Sequence, residues 1–163
     1  MGDQKIAYPY LPAGREIILV PLENPFMQAA KKIQEELSND LLNPTGAVVV
    51  KDGIIIGCAA NHANLPFKSW QLFHKNTFCV RRFFKIKTGT KYWACPGCAK
   101  NKDHAEARAA RDAAQKNGDI TGADLYLYGH WWCCEPCWNE MIKHGIKNVY
   151  ILENGVEIFA RKK

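Results

Sequence analysis

The chain has 163 residues, of which 47% are hydrophobic and 23% charged, enough for one globular domain with a sizeable core and too few for a second of similar size. No apolar run approaches the roughly 20 residues that cross a bilayer, and the opening stretch lacks the apolar region of a secretory signal, so no membrane partner and a cytoplasmic location are expected. The formal charge is +6, unevenly placed: no Asp or Glu occurs between Gly53 and Lys100, a segment suited to anions.

In chain order, Phe26, Ala29, Ala30, Ile33 and Leu37 recur at helical spacing and predict a helix over 24–40, with Asn24 as its cap and Pro25 at its first position. Thr45–Val50 and Ile54–Cys58 are β-rich runs joined through Asp52-Gly53, which supplies the positive φ of a tight hairpin. Residues 64–100 show no sustained period. They interleave Lys and Arg with Phe, Tyr and Trp, and read as an insertion or long loop that a metal would order. Asp103–Asn117 predicts a helix ended by Gly118, Leu125–Tyr128 a strand, Glu135–His144 a helix closed by Gly145, and Asn148–Leu152 a strand; Glu157–Phe159 would add a short edge. The expected architecture is a single α/β domain over 1–163, a three-layer α/β/α fold with a mixed central sheet and a basic, aromatic, Cys-containing insertion at about 64–100.

Seven cysteines include two C-x-x-C pairs, Cys95/Cys98 and Cys134/Cys137, a spacing that favours metal over disulfides in a chain without an export signal. His104-Ala-Glu106 opens one predicted helix, and Cys134 and Cys137 open another. One imidazole and two thiolates fill three of the four tetrahedral positions of Zn2+ and leave the fourth for water. Helix N-termini favour the thiolates. Glu106 stands two residues beyond the histidine, suited to moving protons beside the metal rather than ligating it. Cys133 offers an alternative ligand to Cys134, although the 134/137 spacing favours the latter.

His104-x-Glu106 followed by Cys134-x-x-Cys137 resembles the H-x-E and P-C-x-x-C signature of the cytidine and deoxycytidylate deaminase superfamily. The hairpin around Thr45–Gly57 is similar to that family's first hairpin, and the likeness covers about residues 25–152 apart from the insertion at 64–94. Cys133 departs from it, standing where the family has Pro. The resemblance implies a zinc-dependent hydrolytic deaminase in a cytidine-deaminase-like fold, with zinc on His104, Cys134 and Cys137 and Glu106 as the catalytic residue. Asn61 occupies the place of a sugar-binding Asn, and Asn61, Ala105, Trp132 and His130 are the candidate substrate contacts. Trp131, Trp132 and Trp138 serve either core packing or stacking on the base. Cys95 and Cys98 resemble a Cys-rich stretch of several deoxycytidylate deaminases, implying a second, structural zinc with Cys79 and one of His74, Cys58 or His62. The implied partner is a nucleotide or nucleoside, foremost deoxycytidylate. RNA or single-stranded DNA is the alternative substrate, and a zinc-stabilised nucleic-acid-binding module without activity is the alternative class. Homo-oligomers are common in the family.

Overall fold

Side chains of the central strands point alternately to opposite faces, and that alternation divides the molecule into layers. The computed structural model describes residues 6–160. Strands β1 (Ile17–Val20), β2 (Gly46–Lys51), β3 (Ile54–Ala60), β4 (Asp124–Tyr128) and β5 (Asn148–Leu152) form one sheet in the order β1-β5-β4-β2-β3. β5 is parallel to β1 and β4, whereas β2 is antiparallel to β3 and β4, so the sheet is mixed as expected. On one face, Ala47, Val49, Leu125, Leu127, Val149 and Ile151 pack with the buried sides of α4 (Ala105–Asn117) and α5 (Glu135–Lys143). On the other, Val48, Val50, Tyr126 and Leu152 pack with Met27 and Ala30 of α1 (Pro25–Leu37). The result is the α/β/α sandwich.

Local chemistry sets most boundaries. The Asn24 side chain accepts from the N–H groups of Phe26 and Met27, capping α1. The hairpin turns on Asp52 (φ 52°) and Gly53 (φ 76°). Gly57 lets α4 lie against β3, since a Cβ there would sit 2.6 Å from the Cα and Cβ of Ala113. Gly57→Ala should therefore destabilise the fold by about 1–3 kcal/mol, read as a lower denaturant midpoint with an unchanged slope.

Several expectations need correction. α1 ends at Leu37 rather than Asp40, because the Asp40 carboxylate accepts instead from the N–H groups of Leu42 and Asn43. Asp103 belongs to a 3-10 turn, Asn101–Asp103, and α4 starts after His104. Glu157–Phe159 is not an edge strand: β1, a run of β-formers the periodicity reading passed over, already occupies that side of β5. The segment forms α6 (Gly155–Phe159), which sets Phe159 against Tyr128 at 5.3 Å between ring centroids. The insertion contains α2 (Lys68–Asn76), α3 (Val80–Phe83) and a turn at Tyr92–Ala94. Its helices are short, and their buried sides carry polar residues, Gln71 and His74 in α2 and Arg81 in α3, while Trp70 and Phe73 are exposed, so the apolar positions do not mark the side that packs.

Candidate metal and active site

Two helix N-termini meet at one end of the α4/α5 layer. His104 and Cys134 are the N-cap residues of α4 and α5, both with extended backbone, and Cys137 lies in the first turn of α5. His104 Nδ1 is 3.5 Å from Cys134 Sγ and 3.3 Å from Cys137 Sγ, and the two sulfurs are 3.3 Å apart. Zinc bonds of about 2.3 Å to sulfur and about 2.0 Å to nitrogen imply tetrahedral edges of roughly 3.5–3.8 Å, so this triangle fits zinc to within about half an ångström. Both cysteines are buried and no fourth His, Cys, Asp or Glu joins the group among the described residues. The donor set is the open kind, three protein ligands and one free position.

The electrostatics of the three donors favour one thiolate, on Cys134, with the remaining protons shared between Cys137 and His104. The hydrogen bond shared with Cys137 pulls the Cys134 thiol down to about 5, against burial, making it a thiolate at neutral pH, while the same bond and burial push Cys137 up. Burial pulls His104 down, but its hydrogen bond to Cys134 and the charge of Glu106 outweigh it and leave the imidazole raised. Glu106, in the first turn of α4, is 5% exposed. Burial raises its pKa, opposed by the facing His104, so the carboxyl holds a proton more readily than an exposed one.

A cavity of about 240 Å³ opens over this centre, bounded by His104, Ala105, Glu106, Cys134, Asn61, Arg81, Tyr92, His130, Trp131 and Trp132. All four candidate substrate residues reach it, in different ways. Asn61 is committed to the protein: its amide donates to Asp40 and to the Asn43 carbonyl, and its oxygen accepts from the Ser38 hydroxyl and the Thr45 N–H. Ala105 is fully buried. Trp132 packs on Ala107, Cys134 and Cys137, and its indole N–H finds no acceptor among the described residues. His130 Nδ1 lies 2.7 Å from the Trp132 carbonyl. Trp138 belongs to the main core, and Trp131 stacks on Tyr8 at 6.2 Å. Cys133 also faces the main core and stands outside the donor triangle.

The second cysteine pair sits in a closed group. His74 of α2, Cys79 preceding α3, Cys95 and Cys98 are all buried, with ligand atoms within 4.8 Å of one another. His74 Nε2 lies 3.2 Å from Cys95 Sγ and 3.7 Å from Cys98 Sγ, and Cys79 Sγ lies 3.9 and 3.8 Å from the same sulfurs. Burial lowers the His74 pKa, which favours the neutral imidazole a metal requires. Gly97 makes the approach possible, since a Cβ there would lie 2.5 Å from the His74 ring. Of the three residues considered as fourth partner, His74 is the one present; Cys58 packs toward α1, and His62 is exposed. These four donors fit zinc with no position left over.

The sequence reading missed two walls of the cavity. Arg81 and Tyr92 counted there only as members of a basic, aromatic segment. Pro9, from the N-terminal segment, also lines the cavity.

Among solved structures, the chain is similar to the dCMP deaminase of cyanophage S-TIM5, with 21% identity, 82% of this chain and 86% of that chain covered, and a TM-score of 0.46. It is similar to the bifunctional diaminohydroxyphosphoribosylaminopyrimidine deaminase/5-amino-6-(5-phosphoribosylamino)uracil reductase of Thermotoga maritima at 26% identity, covering 82% of this chain and 32% of that one, TM-score 0.45. Guanine deaminase from Bacillus subtilis is similar at 20% identity over 82% and 68%, TM-score 0.43. No curated protein sequence matches the chain significantly. The sequence model of the MafB19-like deaminases matches residues 22–157, a span that takes in the sheet from β2 to β5, the His104–Glu106 turn and both cysteine pairs. The chain therefore belongs to the MafB19-like deaminase family, within the deaminase superfamily that the spacing of His104, Glu106, Cys134 and Cys137 announced.

Proposed function

We propose that the whole chain acts as one zinc-dependent hydrolytic deaminase domain, converting cytosine to uracil in a free nucleotide such as deoxycytidylate, in the cytoplasm. The observation that carries this reading is the open donor triangle of His104, Cys134 and Cys137 with a buried carboxyl, Glu106, beside it. Zinc held by these three side chains would supply Lewis-acid activation of water. Glu106 would take one proton from the attacking water as the new C–O bond forms and pass it to the ring nitrogen, then take the remaining hydroxyl proton and give it to the amine as the C–N bond breaks, the carbonyl forms and ammonia leaves. Its raised pKa suits a group that must both accept and donate. Trp132 and Tyr92 wall the cavity and limit bulk water. The second group, His74, Cys79, Cys95 and Cys98, takes a structural zinc in the same proposal.

An ammonia-release screen over cytosine, adenine and guanine nucleosides and their mono- and triphosphates, tRNA and single-stranded DNA tests this. Release from a cytosine nucleotide is expected; release from none of them would refute the enzyme reading.

One observation favours a polymer as the second reading. Phe83 and Phe84 are each 66% exposed and Trp93 is 76% exposed, among exposed Arg82, Lys85, Lys87 and Lys91. Aromatic faces between cations are how proteins hold single strands. On that reading, Phe83→Ala with Phe84→Ala weakens binding of a short single-stranded oligonucleotide by about 1–3 kcal/mol per stacked base, with steep salt dependence, and leaves mononucleotide binding as in the parent.

A further inference from the structure

We propose that Arg81 binds the phosphate of the nucleotide whose base reacts, and that the His74/Cys79/Cys95/Cys98 group holds it in the cavity for that purpose. This rests on the deaminase reading and adds the substrate feature recognised. Arg81 is 2% exposed yet lines the same cavity as His104 and Glu106. The other seven Lys and Arg between residues 68 and 100 are exposed, and among the described residues none of them lines it. A buried guanidinium is costly unless an anion meets it; among the described residues no carboxylate lies within ion-pair distance of Arg81, and the acidic group beside it is the Cys98 thiol of the closed donor group, which engages only part of the guanidinium fork. Its Nε donates to the Thr90 carbonyl at 3.2 Å and one terminal nitrogen to the Lys87 carbonyl at 3.4 Å, and it also hydrogen-bonds Cys98. Five N–H donors in a rigid fork leave capacity for a phosphate, which Arg takes in bidentate fashion.

Position strengthens the case. The guanidinium lies over the Tyr92 ring, 4.0 Å from its centroid, and the edge of the same ring system meets His104 at 4.6 Å between centroids. One tyrosine thus separates the cation from the metal-site imidazole, so a ligand in the cavity can present its base to one and its phosphate to the other. Arg81 follows Cys79 by two residues, and Tyr92 precedes Cys95 by three. The clustered side chains fix the backbone from which both walls project. The cavity's nearby acid, Asp40, is spoken for: its carboxylate accepts from Leu42, Asn43 and Asn61.

The phosphate can belong to a free nucleotide or to a strand, and the test separates them. Rates on a cytosine nucleoside, its 5′-monophosphate and a short single-stranded oligonucleotide are compared for the parent, Arg81→Gln, Arg81→Lys and the control Lys68→Gln, an exposed cation at the start of α2 that does not line the cavity. The ratio of kcat/KM between phosphorylated and unphosphorylated substrate is insensitive to the fraction of protein folded. Arg81→Gln should lower that ratio by at least about tenfold, chiefly through KM, with Arg81→Lys retaining part and Lys68→Gln all of it. A fall confined to the oligonucleotide supports the proposal with the strand as phosphate source. Calorimetric binding of the product 5′-monophosphate gives the same answer without turnover: tenfold weaker binding in Arg81→Gln is expected even if no substrate releases ammonia and the deaminase reading fails. An unchanged ratio and unchanged binding overturn the proposal. So does an equal fall on all three substrates with loss of one zinc, which would make Arg81 a prop of the cysteine group.

Discussion

Glu106→Gln is expected to lower ammonia release by between about a hundredfold and about ten thousandfold while zinc content and folding stay as in the parent. The substitution keeps the shape of a side chain that is almost wholly buried, so packing in the first turn of α4 survives. What goes is the ability to take and return a proton beside the three metal donors. Stability should hold or rise, because burial already disfavours the charged carboxylate and a neutral amide escapes that cost. The measurement is the rate of ammonia release with thermal melting and metal analysis on the same sample. An unchanged rate at full zinc content would remove Glu106 from the chemistry.

The second large effect concerns stability. Cys98→Ser should lose one zinc per chain and lower the melting temperature by more than about 10 °C, since a structural zinc is worth many kcal/mol and each kcal/mol moves a chain of this size by roughly 2–4 °C. The reason lies in what the insertion buries. Its helices turn Gln71, His74 and Arg81 inward and leave Phe73 and Phe83 outside, and the buried cluster there consists of Cys79, Cys95 and Cys98 with Leu42, Val80 and Tyr92 packed against them. Four converging donors take the place of a larger apolar core. Cys133→Ser provides the contrast: Cys133 is fully buried in the main core but belongs to neither donor group, so both zincs remain and the cost is that of a buried hydroxyl, about 1–3 kcal/mol. Equal zinc content in Cys98→Ser and the parent would refute the two-site account.

The sandwich was legible because its elements carry their own signals. Asn24-Pro25 marks a cap, Asp52-Gly53 a hairpin, and Val48 and Val49 face opposite layers through a period of two. His104, Cys134 and Cys137 could be grouped from the C-x-x-C pair, the two predicted helix starts and the resemblance they carry, and the structure brings their donor atoms together at the N-termini of α4 and α5. What stayed hidden depends on tertiary contact. Nothing local distinguishes Arg81 from Arg82, yet one is buried in the cavity wall and the other is exposed. Asn61 reads as a ligand for sugar, whereas its amide is occupied on every side by Ser38, Asp40, Asn43 and Thr45. β1 is four residues long and pairs with a strand more than a hundred residues away, so no window on the sequence contains both halves of its signal.

The central claim is that His104, Cys134 and Cys137 hold the metal on which deamination depends. Metal content measured alongside ammonia release in Cys137→Ala tests it most directly. The expected result is a folded protein with one zinc fewer than the parent and no detectable release from the cytosine nucleotide. Retention of the parent's zinc content, or of its rate, would contradict it.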